Sequence, residues 1–311
     1  MNTEIELRHL RYFVAVAEEL HFGRAALRLH IAQPPLSQQI RQLEANLGHR
    51  VFVRTSRSVA LTAAGRELLE RARRMLARVD EDLAAVQRVG RGEVGALTIA
   101  FTGSAILRDP LPETIRAYRR KYPEVDLRLR ELGTMLQVDA LRDGSIDLGF
   151  LRDPGPFDGL VIEELSREPY VAVLPSRHSL AKLRSIHPAQ LRGEPFIFHR
   201  RDIGPLAFDR TMAVCQRVKF LPEIVQEAPQ WPTVIRLVES GLGVSIAPRC
   251  VSKLETMGVV FRPLRTAGAF TEVSLGHRAE PLMPTAVEFV RIAKEAFQMR
   301  STGKTRAIAG K

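Results

Sequence analysis

Gln33, Ser37, Gln38, Arg41 and Gln42 share one flank of the stretch "IAQPPLSQQIRQLEANLG". Gln and Arg can each bond two atoms of a single base edge, and Ser is a small partner that donates or accepts. The other flank, Leu36, Ile40, Leu43 and Leu47, recurs every three or four residues, the spacing of an amphipathic helix. Pro34 and Pro35 stand in its first turn, where backbone N–H groups have no helical partner and proline forfeits little. The helix start is therefore rigid, and its polar flank fits the DNA major groove. The exposed side of an ordinary core helix is the alternative reading.

A second set of residues stands at strand ends: Thr102, Ser104 and Ala105 in "FTGSAIL", Thr134 in "ELGTML", and Arg152 in "GFLRD". Ligands in open α/β folds sit beyond the carboxyl ends of strands, and helix N-termini there favour anions. Two helix starts, their hydroxyls and an arginine suit a carboxylate ligand. From the other side of such a cleft come Leu206 and Ala207 at a helix start and Trp231, the only tryptophan, in "APQWPTV". Alternatives stay open: each hydroxyl is equally an N-cap, Arg152 a surface ion pair, and Trp231 a core or surface residue.

These residues need elements to position them. "ELRHLRYFVAVAEEL" and "FGRAALRLH" are two helices preceding the polar-flanked one, with only Ile31 and Ala32 between the last two. That is a helix-turn-helix. "VFVRTSRSVALT" reads as a two-stranded wing whose Arg54 and Arg57 suit phosphate contact. The next segment carries Leu68, Ala72, Met75, Val79, Leu83 and Val86 on one stripe. A helix this long suits dimerisation; the alternative is a core helix of the following domain. From Ala96 onward, strands alternate with helices, so the remainder is an α/β domain with a mostly parallel sheet.

The expected organisation is a winged helix-turn-helix over 1–62, a linker and dimerisation helix over 63–89 and a hinge over 90–95. A two-lobed effector domain covers 96–300, with lobe I from 96–165 and 270–300 and lobe II from 166–269. A basic flexible tail covers 301–311. The chain of 311 residues, with 45% hydrophobic and 26% charged residues, is long enough for about two domains. Its net charge is +11, unevenly spread. Residues 1–95 carry 15 Lys and Arg against 11 Asp and Glu, 96–290 carry 25 against 23, and 291–311 carry 6 against 1. Much of the surplus is thus a short tail, and DNA binding rests on local arrangement instead. No apolar run reaches a membrane span and the N-terminus has no signal-peptide core. With two scattered cysteines, no disulfide framework and no metal site are expected. The expected location is the cytoplasm.

"LRHLRYFVAVAEELHFGRAALRLHIAQPPLSQQIRQLEANLG", the wing and "LTAAG" resemble the LysR-type transcriptional regulators, most of all the branch that senses benzoate, muconate and chlorocatechol breakdown products. The resemblance covers nearly the whole chain. It implies a winged helix-turn-helix, a linker helix and a two-lobed effector domain similar to periplasmic binding proteins. By position it implies base reading by Gln33, Pro34, Ser37 and Gln38. Ala32 stands where many members have a capping Ser or Thr, and Gln38 where Arg is common. The implied partners are double-stranded DNA with an interrupted palindrome, a small carboxylate effector, and further copies of the chain as a homodimer or a homotetramer. Contact with RNA polymerase is left open. No cofactor or catalysis is expected, since no nucleophile–base or metal motif is found. An enzyme that kept a helix-turn-helix, and a pure solute receptor, are the competing readings.

Overall fold

The computed structural model describes residues 5–55, 58–266 and 268–308, of which 300–308 as backbone alone. The chain divides into two compact units, Met1–Arg88 and Val89–Lys311.

The first unit opens with α1 (Leu7–Glu19), α2 (Phe22–Arg28) and α3 (Gln33–Leu47). Apolar residues at helical spacing turn Leu10, Phe13, Val16, Leu36, Ile40 and Leu43 into one core. Ala25 and Ala26 are small and buried, which lets α2 approach its neighbours closely. His30 takes a left-handed φ of 56° in the turn between α2 and α3, and the Ile31 N–H donates to the Ala26 carbonyl at 3.0 Å. Helix α2 thus ends at Arg28, two residues before the His30 expected from the sequence. β1 (Phe52–Arg54) and β2 (Val59–Leu61) then pair antiparallel as the wing, and Phe52 plugs the core against Phe13 at 5.4 Å.

Helix α4 (Ala63–Gly90) starts where the Thr62 hydroxyl accepts the Gly65 N–H at 2.9 Å. Gly65 is required here: a Cβ on it would stand 2.1 Å from the Val51 carbonyl oxygen. Glu18 ties three helices together, accepting Arg28 at 2.8 Å and Arg73 at 2.6 Å. Hydrogen bonds from Arg73 and then Arg28 hold its carboxyl below the ordinary range.

In the second unit, β3 (Gly95–Phe101), α5 (Pro110–Lys121), β4 (Val125–Glu131), α6 (Thr134–Arg142) and β5 (Leu148–Arg152) wind a parallel sheet. The sixteen-residue β6 (Leu160–Pro175) leaves this lobe for the next. There β7 (Pro195–His199), α7 (Pro205–Gln216), β8 (Glu223–Ala228), α8 (Trp231–Glu239), β9 (Ser245–Pro248) and β10 (Val259–Pro263) follow. β11 (Phe270–Arg278) returns between β5 and β6, and α9 (Pro284–Ile308) ends the chain. The N-terminal part of β6 pairs antiparallel with β11, and its C-terminal part with β9 and β10. A register shift between Val273 and Ser274 lies opposite Glu164–Ser166, and β6 passes from β11 to β9 between Pro169 and Tyr170.

Two strand segments go beyond the sequence pattern, the first half of β6 from Leu160 and the short β10. Glu163, Glu164, Arg167 and Glu168 break the apolar signal of β6, although strands flank it on both sides. The last helix likewise continues past Met299, where its apolar period stops, to Ile308. "STGKTRAI" contains no proline, and one mid-helix glycine costs only about 1 kcal/mol. The side chains of this stretch and residues 309–311 lie outside the described ones, so the tail expected over 301–311 is only partly covered.

Candidate functional site

Two surfaces carry the chemistry, one in each unit. On α3, Leu36, Ile40 and Leu43 are fully buried, while Gln33, Pro34, Gln38 and Arg41 are exposed and Ser37 is half-buried. Ala32 is the N-cap and offers no side-chain hydrogen bond. Pro34 and Pro35 carry no N–H, so the first turn of α3 leaves little for a side-chain cap to satisfy, and it presents the exposed Gln33 and Gln38 side chains. This is what a helix entering a groove needs.

The wing differs from expectation. Arg54 turns back onto its own domain: it pairs with Glu44 at 2.8 Å and lies 4.8 Å above the Phe22 ring. Glu44 is itself fixed by the Val51 and Phe52 N–H groups, at 3.0 and 3.2 Å. With its guanidinium held by a carboxylate and a ring, Arg54 anchors the wing and does not project as a free phosphate contact. Arg57 lies outside the described residues.

The expected dimer stripe on α4 divides in two. Ala72 is completely buried in the first unit's core and Leu68 packs against it. Val79 is half-buried, whereas Met75, Leu83 and Val86 are 46, 55 and 70% exposed. The stripe is thus a core face in its first part and an open apolar face further on.

In the second unit a cleft of about 630 Å³ opens between the lobes. Thr102, Ser104, Thr134 and Arg152 line it from lobe I, and Ala207 and Trp231 from lobe II. The turn after β3 is held by Ala105 N–H donating to the Thr102 carbonyl at 2.8 Å. The starts of α6, α7 and α8 also border the cleft, through Thr134, Ala207 and Trp231. Trp231 stacks on His199 with ring centroids 5.4 Å apart. Burial pushes His199 below its ordinary value, so this wall is a neutral ring pair near neutral pH.

Not every expected residue presents itself to a ligand. Ala105 is completely buried in the lobe I core, in the same cluster as Leu97 and Leu111, and is not part of the cleft lining. Leu206 is outside the lining and covers Gly155, 2.9 Å from where a Cβ on that glycine would stand. Thr134 spends its hydroxyl on the backbone of Arg152, donating to its carbonyl at 3.1 Å and accepting its N–H at 3.2 Å. It sets the strand end in place.

Arg152 is neither a surface ion pair nor a free anion anchor. Its Nη1 donates to Glu168 at 2.8 Å, its Nε to Ser104 Oγ at 3.1 Å and its Nη2 to Cys250 Sγ at 3.6 Å. Arg108 Nη1 lies 3.3 Å from the same Glu168 oxygen, and Glu168 Oε2 accepts the Cys250 N–H at 2.8 Å. Burial pushes the Glu168 carboxyl up, but the charges of Arg152 and then Arg108 outweigh it and hold it below the ordinary range. Burial also pushes the Cys250 thiol up to about 12, so it stays protonated. The cluster joins lobe I, β6 and lobe II beneath the cleft.

Sequence reasoning missed Glu131, Asp153, Tyr170, Phe198 and His199, all of which line the cleft. Glu131 and Asp153 stand at strand ends like the residues it selected, so the same rule reaches them. Asp153 takes a φ of 44°, accepts Thr271 and the Glu272 N–H, and pairs with Arg210 of α7 at 2.7 Å. Tyr170 and Phe198 sit in buried strands and give no signal beyond apolarity.

A winged helix-turn-helix followed by a two-lobed α/β domain with a ligand-sized cleft defines a class, the ligand-responsive DNA-binding regulators. Residues 7–66 match the bacterial regulatory helix-turn-helix of the lysR family, and residues 90–298 match the LysR substrate binding domain. The chain belongs to the LysR family of transcriptional regulators. It is 43% identical to the uncharacterized HTH-type transcriptional regulator YnfL of Escherichia coli over 271 residues, 87% of this chain and 91% of that protein. To the HTH-type transcriptional regulator AlsR of Bacillus subtilis it is 40% identical over 289 residues, 93% of this chain and 95% of that protein. Among solved structures, CbnR, a LysR family transcriptional regulator, superposes with a TM-score of 0.76 at 29% identity, covering 93% of this chain and all of that one. Full-length CbnR complexed with target DNA superposes at 0.74 and 28%, covering 94% of this chain and all of that one. The protein is a DNA-binding transcriptional regulator with an effector-binding domain, and its relatives are named as regulators, not enzymes. No described helix is long and apolar enough to cross a membrane.

Proposed function

We propose that this regulator reads an interrupted palindrome through Gln33, Pro34, Ser37, Gln38 and Arg41, and that a small carboxylate in the cleft controls its output. The observation that carries the effector reading is the turn Thr102–Ser104. Its hydroxyls line the cleft, and among the described residues the Gly103 and Ser104 N–H groups have no backbone acceptor. An anion placed there would meet several donors at once. The apolar walls from Leu107, Met135, Phe198, Phe208 and Trp231 suit a hydrocarbon or aromatic body. The narrower placement, with aromatic-acid catabolites in the benzoate, muconate and chlorocatechol branch, rests on the N-terminal resemblance together with these walls. Met75, Val79, Leu83 and Val86 would pair two copies, as a dimer or as half of a tetramer, so that two recognition helices meet the DNA in register. RNA polymerase would be a further partner through which the output, activation or repression, is read.

Calorimetry with the full-length protein tests the cleft. Ser104→Ala should weaken binding of a carboxylate effector by about 1.5–3 kcal/mol, the worth of one hydrogen bond to a charged group. Wild-type affinity in this variant would remove the turn as the anion seat.

A further inference from the structure

We infer that the cleft is shaped for a small zwitterion, an α-amino acid with a largely apolar side chain, and not for a simple carboxylic acid. The inference rests on the carboxylate seat proposed above and asks what must stand beside it. Arg152 would be the obvious counter-charge for an acid, but its side chain is only 6% exposed and is bound to Glu168 at 2.8 Å. Among the charged residues that line the cleft, the one left unpaired is negative. Glu131, at the end of β4, lines the cleft and is exposed, and its side chain forms no hydrogen bond or ion pair among the described residues. Asp202, the other exposed acid of the lining, is held by Arg200.

The position of Glu131 matters more than its charge. Its Oε1 lies 2.7 Å from where a Cβ on Gly103 would stand, directly against the turn that offers the free N–H groups. A ligand carboxylate seated on that turn comes within a few ångströms of a second, unpaired carboxylate, and like charges so placed repel. A cation bonded close to the ligand's own carboxylate relieves this. In an α-amino acid the ammonium is one carbon away from the carboxylate, so one end can meet the N–H groups while the other meets Glu131.

The opposite wall adds one more polar residue. Tyr170 is 2% exposed and lines the cleft, with its hydroxyl beside Thr211 and Thr271. Burial, and then the charge of nearby Asp153, push this phenol up to about 12, so it is a donor at neutral pH. The remaining lining, with Leu132, Leu136, Phe208, Ile246 and Leu254, is apolar and suits a hydrocarbon side chain.

The test uses matched pairs that differ only in the amine: L-phenylalanine against 3-phenylpropanoate, and L-leucine against 4-methylpentanoate. Each is titrated calorimetrically into the full-length protein and into a Glu131→Gln variant, whose ligand-free melting curve reports separately on folding. The expected result is at least one amino acid binding 10-fold or more tightly than its des-amino partner, with that preference lost in E131Q. Equal or tighter binding of the des-amino acids, strengthened in E131Q, would overturn the inference while leaving the carboxylate seat standing. Binding of benzoate or muconate with neither amino acid bound would overturn it as well. If none of these acids binds, both this inference and the carboxylate seat fall.

Discussion

Replacing Glu168 by Gln isolates the buried cluster beneath the cleft. The carboxylate is 4% exposed, and one of its oxygens faces both Arg152 at 2.8 Å and Arg108 at 3.3 Å. An amide keeps the volume and can still accept the Cys250 N–H, but it removes the only negative charge between two guanidinium groups. Breaking a buried pair from one side costs about 3–5 kcal/mol, because the remaining charge stays desolvated. For a domain of this size about 1 kcal/mol moves the midpoint by roughly 2–4 °C, so the variant should melt on the order of 10 °C lower. The pH dependence has a definite sign. The folded carboxyl is held below its ordinary value, so its stabilisation is complete above the carboxylate range and is lost as pH falls through the folded value. The gap between wild type and variant in scanning calorimetry should therefore narrow in acid. Midpoints within about 2 °C of each other throughout pH 5 to 8 would show that Glu168 is not the charged partner of Arg152, and the account of the cleft's charge would fail with it.

Gln38→Ala should relax preference at one base position by about 1–3 kcal/mol without changing the salt dependence, as competition binding with substituted duplexes would reveal. An equal loss on random DNA would contradict base reading. Arg54→Ala should destabilise the first unit by about 1 kcal/mol, since its pair with Glu44 is partly solvent-screened, and should leave the salt slope of DNA binding within about one unit of wild type. A drop of a full unit or more, read from log K against log salt, would restore it as a phosphate contact. Lys at both Leu83 and Val86 should leave the fold intact, because these side chains are 55 and 70% exposed, yet yield monomers in sedimentation experiments. A dimer of unchanged stability would move the interface elsewhere.

Much of this architecture is legible from residue patterns alone. The helical spacing of Leu36, Ile40 and Leu43 marks the buried face of α3, and the doubled prolines mark its start. The strand-end rule found the turn after β3 and the position of Arg152. What it could not find was the partner. Glu168 lies 16 residues further on, in a strand segment whose charges hide it from periodicity, so Arg152 read as an available cation. The same failure made Arg54 a phosphate contact: Glu44 sits on the inner side of α3, and only the fold brings the two within 2.8 Å. Local sequence places a charged group. Its availability depends on a distant residue.

Helix α4 shows why the stripe from Leu68 to Val86 reads as one element yet meets two environments. Its 28 residues span about 42 Å, longer than a domain of three short helices and a hairpin can cover. Where the domain reaches, at Leu68 and Ala72, the stripe completes the core. Further along the stripe the same period continues at Met75, Leu83 and Val86, which are exposed among the described residues, and Arg73, Arg74 and Arg78 keep the flanks polar. Solvent alone gives no reason for the apolar period to persist once the domain's own core has ended. A second copy of the same helix does, since an isologous contact buries the stripe against itself. On that reading, the overhang sets how far apart two recognition helices stand, and the length of α4 belongs to DNA specificity as much as Gln38 does.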